Sequence, residues 1–233
     1  MAQNFNFNVY NVVEVTRVEF VRKTYAHVAL AVLSFVVFET FLFFSGMAES
    51  IAFTMLNNWW LILILFIGGT WIANKWAVEP GNIQKQYLGL FLFAFIEAII
   101  FVPLFYILFS SPQFAGQVES ILGQAGVVTG GLFTGLSAIA IFSKKDFSFL
   151  RSIITIGAFV ALATIFAGMI FGFDLGVWFS AGMVLLASGS ILYQTSRLLK
   201  DFHTTQHVAA ALGLFASLMT MFWYILQIFM SRD

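Results

Sequence analysis

Two glutamates, Glu39 and Glu97, lie inside long apolar stretches, where an ionisable side chain is costly and is by default a candidate functional group. Glu97 stands eleven residues after Gln86 and thirteen before Ser110, near the middle of its stretch. Glu39 stands seven residues before Gly46, which at helical rise puts it about 10 Å from the edge. The two are then roughly 9 Å apart in depth and need not act as a carboxylate pair. No lysine or arginine lies deep in either stretch, and desolvation without a cation favours the neutral, protonated acid. Each is therefore a candidate proton or cation site. The plainer alternative is a neutral acid bonded to a nearby carbonyl or hydroxyl.

Other residue types offer less. His203 and His207 are four apart, a spacing that could place two metal ligands on one helical face, yet no third ligand accompanies them. His27 reads as an interfacial residue. Ser137 would need a membrane-embedded histidine to become a nucleophile, and all three histidines fall at the ends of apolar stretches. A retinal Schiff base would need a lysine between His207 and Met230, where there is none. The absence of cysteine removes disulfides, thiolate catalysis and cysteine-ligated metals. The chain is expected not to be an enzyme and to carry no cofactor.

These residues are set in a strongly apolar chain. Apolar residues make up 61% of 233 and charged residues 9%, too little polar surface for a domain covered by water. A helix needs about 20 apolar residues to cross the hydrocarbon core. Seven stretches qualify, at approximately 24–46, 59–75, 86–110, 120–142, 149–172, 177–199 and 207–230. The expected fold is an all-α bundle of seven transmembrane helices spanning 24–233, preceded by an N-terminal segment, 1–23. The charges in that segment argue against a cleaved leader. Phe5, Phe7 and Val9 alternate within it and could be gripped by a partner.

Orientation follows from the basic residues. Arg17, Arg22, Lys23, Lys75, Lys85, Lys144, Lys145, Arg151, Arg197 and Lys200 fall on one side of the seven spans, and only Arg232 on the other. This places the N-terminus in the cytoplasm and Asp233 outside. Trp59, Trp60, Trp71, Trp76, Tyr25 and Tyr87 sit near span ends, where amphipathic rings favour the headgroup layer. The basic residues are too few and too scattered for nucleic acid.

Inside a bilayer, helices associate through close backbone approach. Gly126, Gly130, Gly131 and Gly135 in the fourth span have the spacing for it, with Thr129, Thr134 and Ser137 beside them. The same pattern could make this span the central, pore-lining helix. Gly168, Gly172 and Gly176 repeat it. Pro103 is expected to kink the third span, because it lacks an N–H and clashes with the preceding turn.

Several segments together resemble the Bax inhibitor family of bacterial and eukaryotic membrane proteins. They are Phe20-Val-Arg-Lys-Thr-Tyr-Ala-His-Val28 at the first span and Phe95-Ile-Glu-Ala98 in the third. Thr129-Gly-Gly-Leu-Phe-Thr-Gly135 followed by Ser143-Lys-Lys-Asp-Phe-Ser-Phe-Leu150 is the most specific stretch, and Ile191-Leu-Tyr-Gln-Thr-Ser-Arg197 adds to it. The alanine-rich start of the seventh span at Ala210 also fits.

The resemblance implies a seven-helix bundle in a bacterial cytoplasmic (inner) membrane, with a pH-sensitive calcium leak gated by paired aspartates on the last two helices. Here Gln194 and Ser217 stand at those gating positions, and neither titrates near neutral pH. Two coupled carboxylates therefore cannot gate this chain, which leaves Glu97 as the best proton switch. The resemblance also implies an alternative role, as a non-conducting partner that modulates or is handled by a membrane-anchored AAA protease. Expected partners are thus the lipid bilayer, a calcium ion and such a protease complex.

Overall fold

The computed structural model describes residues 2–58, 60–79, 82–143 and 145–231, with the backbone alone for 2–15. The side chains of Phe5, Phe7 and Val9 lie outside the described residues, as do Trp59, Lys144, Arg232 and Asp233. Among the described residues the chain forms eight α-helices: α1 (Ala2–Phe44), α2 (Met47–Asn57), α3 (Trp60–Ala77), α4 (Ile83–Ser110), α5 (Val118–Phe142), α6 (Leu150–Phe171), α7 (Gly176–Lys200) and α8 (His207–Met230). A 3-10 turn, Pro112–Phe114, precedes α5. Seven of the helices are long and apolar enough to cross a membrane, and they match the seven stretches expected from hydropathy.

The backbone of residues 2–23 is helical and continuous with the first span, since α1 runs unbroken from Ala2 to Phe44. The connection after that span is itself helical. α2 has eleven residues, about 16 Å of rise, so it cannot cross the core. Gly46, at φ 75°, turns the chain into it. Ala48, Ala52 and Met55, at i, i+4 and i+7, bury its inner face, while Phe53 and Leu56 are exposed.

The centre of the bundle is α4 with α8. In α4, 72% of the most apolar eighteen-residue stretch is buried, against 28% in α5. The glycine-rich fourth span is therefore peripheral, not central. Phe101 of α4 stacks on Phe222 of α8 at 5.8 Å and meets Trp223 edge-on at 4.9 Å. Phe35 of α1 meets the same ring edge-on at 5.1 Å, which ties three helices to one aromatic cluster. α4 continues through Pro103, where Ile99 loses its i+4 donor without the helix ending.

Close backbone approach occurs, but not where the spacing pointed. A Cβ placed on Gly126, Gly130, Gly131 or Gly135 would meet no atom within 4 Å. α5 packs through Ile121, Ala125, Thr129, Ser137 and Ala140 and turns its glycines outward. The tight contact is Gly89 of α4, where a Cβ would come within 2.8 Å of the Ala73 carbonyl oxygen on α3. Gly172 and Gly176 have φ of 71° and 67° and form the α6–α7 turn instead of a packing face.

The described basic residues gather at one end. Arg17 donates through Nη1 to the carbonyls of Leu198 (3.2 Å) and Phe202 (2.7 Å), covering the C-terminus of α7. Lys85 pairs with Glu79 at 2.8 Å, and Lys200 with Asp146 at 3.3 Å. The Ser148 N–H and hydroxyl, with Lys200, hold the Asp146 carboxyl below the usual carboxylate range. The Phe147 N–H donates to Ser196 Oγ at 3.4 Å, so the α5–α6 loop is fastened to the end of α7.

Candidate functional site

Glu97 sits midway along α4 and is 4% exposed. It lines a cavity of about 790 Å³ bounded by α3, α4, α6, α7 and α8. From Glu97 and Ala158, near the middles of their helices, the cavity extends to Asp174 and Ser231 at the opposite end from the basic cluster. Its walls are mostly apolar; Glu97 and Thr220 are polar groups deep in it, and Asp174, Ser180, Gln227 and Ser231 stand nearer that far rim. There Ser180 donates to Gln227 Oε1 at 3.2 Å. Glu97 thus combines burial with a path to one membrane face, which suits an acid that exchanges a proton or a cation.

Glu39 is in a different place. It is 7% exposed, does not line the cavity, and both its carboxyl oxygens are buried without a hydrogen-bond partner among the described residues. Neither acid forms an ion pair among the described residues.

Gln194 and Ser217 do meet. Gln194 Nε2 donates to the Gly213 carbonyl at 3.0 Å and to Ser217 Oγ at 3.3 Å. Ser217 also donates to the Gly213 carbonyl at 3.1 Å and bonds Ser190 Oγ at 2.8 Å. Gly213 makes this possible, since a Cβ there would collide with the Gln194 amide. A neutral network therefore joins α7 to α8, with no carboxylate in it. Sequence reading found Gln194 and Ser217 but missed Ser190 and Gly213, whose part depends on helix pairing.

The histidines pair differently from their spacing. His203 lies in the loop before α8, where its N–H donates to Gln206 Oε1 at 3.1 Å. His207, the first residue of α8, instead packs edge-on against His27 of α1, with ring centroids 4.8 Å apart. His27 Nδ1 meets the Lys23 carbonyl at 2.6 Å, and Nε2 meets Tyr87 OH on α4 at 2.7 Å. The carbonyl can only accept, so Nδ1 carries a proton and, in the neutral ring, Tyr87 donates to Nε2. Ser137 is buried on α5 with no hydrogen-bond partner among the described residues.

Comparison with known proteins bears on this arrangement. An uncharacterized protein of Pseudomonas aeruginosa is 37% identical over 113 residues, 47% of this chain and 50% of its own length. The match thus spans about half the length of that relative, as it does for those of Vibrio cholerae and Neisseria meningitidis. Bax inhibitor 1 of Schizosaccharomyces pombe is 27% identical over 220 residues, 91% of this chain and 76% of that one. The Escherichia coli protein named Modulator of FtsH protease YccA is 29% identical over 176 residues, 74% of this chain and 76% of its own. Its counterpart in another strain is named an inner membrane protein, and the seven apolar helices assign this chain to the same kind of membrane. Residues 17–233 match the family described as Inhibitor of apoptosis-promoting Bax1, and the chain therefore belongs to the Bax inhibitor family of multi-pass membrane proteins.

Proposed function

We propose that this protein is a cation leak pathway, for calcium by family resemblance, in which Glu97 binds the ion or the proton that controls it. The supporting observation is the position of Glu97, a buried acid at the inner end of a cavity that reaches one membrane face. The Gln194–Ser217 contact contains no titrating group, so proton control falls to Glu97. With the N-terminus in the cytoplasm, the cavity opens outward. The protein acts without catalysis. Reconstitution in liposomes with a trapped calcium dye tests the reading. Wild-type protein passes calcium with a pH-dependent rate, and Glu97→Gln loses most of that flux. Equal flux through both, from about pH 6 to 8, removes Glu97 from the mechanism.

A second reading is favoured by the relative named for modulating FtsH. On this reading the chain is a non-conducting partner of a membrane-anchored AAA protease. A neutral contact between α7 and α8 suits a partner that needs no gate. Affinity purification from native membrane decides it. Recovery with a protease supports the reading, and recovery of the chain alone removes it.

A further inference from the structure

The walls of the Glu97 cavity suit a second ligand. Along α6 the cavity extends from Ala158 to the turn that holds Asp174. The helical part of that path rises about 20 Å, somewhat more than the roughly 15 Å of one leaflet, so a chain along it spans the whole leaflet depth. Leu63 and Leu162 on the facing walls are half-buried and Phe66 is 40% exposed, so the apolar lining between α3 and α6 is partly open along the length of these helices. Its volume of about 790 Å³ lies within the roughly 300–1,000 Å³ of ligand sites. Apolar walls offer water few hydrogen-bond partners, whereas lipid chains stand at the opening.

The rim selects the headgroup. Among the described lining residues it carries the Asp174 carboxylate and the polar side chains of Ser180, Gln227 and Ser231, with no lysine or arginine. That charge complements an ammonium group and disfavours a headgroup that is only anionic.

From the cavity's apolar walls, lateral opening and acidic rim, we infer that it is a phospholipid site. One acyl chain lies along α6 towards Glu97, and an ammonium-bearing headgroup rests at Asp174. The acyl chain and the ion of the proposed pathway would share this cavity, so a resident lipid closes the pathway; occupancy is read by cross-linking and conduction by flux, so the two readings fail separately.

The test uses full-length protein in liposomes containing phosphatidylethanolamine with a photoreactive diazirine midway along one chain. A second preparation carries the same chain on phosphatidylglycerol. After irradiation, peptide mass mapping locates the label. Glu97 and Leu162 are expected to be labelled several-fold above Phe159 and Val160, which face outward on α6 at 71% and 60% exposure. Ala161→Phe, which fills the cavity, removes that excess while the outward label stays, and Ala158→Phe serves if the first variant does not fold. Phosphatidylethanolamine labels the cavity more than phosphatidylglycerol does, and Asp174→Asn abolishes the preference. Labelling no greater inside than outside, or unchanged by filling, overturns the site. Equal labelling by both lipids overturns the headgroup assignment.

Discussion

Gln194 on α7 donates its side-chain amide to the hydroxyl of Ser217 on α8 at 3.3 Å, and both side chains also donate to the Gly213 carbonyl. The contact occupies the positions at which family resemblance leads one to expect two aspartates. Its atoms are neutral, so it holds the two helices together without reference to pH.

Gly213→Ala should displace the Gln194 amide, since the added methyl collides with the end of that flexible side chain and so breaks its bonds to Gly213 and Ser217. Losing those two bonds should cost about 1–2 kcal/mol. Ser217→Ala removes hydrogen bonds but adds no clash, and should cost about 1 kcal/mol. Thermal unfolding in detergent should rank the two variants in that order.

Replacing Gln194 and Ser217 together with aspartate puts two carboxyls where the amide and hydroxyl now touch. Two such groups titrate as a pair. Liposome flux through the double variant should then acquire a second pH-dependent transition that the wild type lacks. An unchanged profile would place this contact outside the pathway.

Arg17→Ala should release the C-terminus of α7, because Arg17 bonds both Leu198 and Phe202 carbonyls. The expected loss is about 1–2 kcal/mol, typical of a charged donor. Hydrogen exchange should rise in residues 198–203 and leave α3 unchanged.

The Asp146 turn carries a pH signature. Its carboxyl is held low by the Ser148 N–H and hydroxyl and by Lys200, so the folded turn prefers the ionised form. The resulting stabilisation is complete above the carboxyl's unfolded pKa and is lost as pH falls through the lower folded one. Amide protection of residues 145–150 should fall on acidification in the wild type and change little in Asp146→Asn.

Gly126→Ala and Gly130→Ala should stabilise α5 by about 0.5–1 kcal/mol each, because a methyl there meets nothing and glycine weakens a helix. A drop in melting temperature instead would reveal another helix against this face.

Hydropathy and charge were enough to locate all seven crossing helices, because each must bury about 20 apolar residues whatever its neighbours are. The same local constraint exposed Glu97 and Glu39, since an acid in an apolar run is visible without any partner. Family resemblance singled out Gln194 and Ser217, and the fold brings them together. Glycine spacing was a poor guide to packing, because it states which faces permit close approach and not which faces meet. Thus Gly126 and Gly130 face outward while Gly89 takes the close contact with α3. His27 and His207 lie 180 positions apart in the sequence, so no local pattern could join them. The cavity at Glu97 is of the same kind: five helices contribute its walls, and only their packing opens a path from that buried acid to the membrane face.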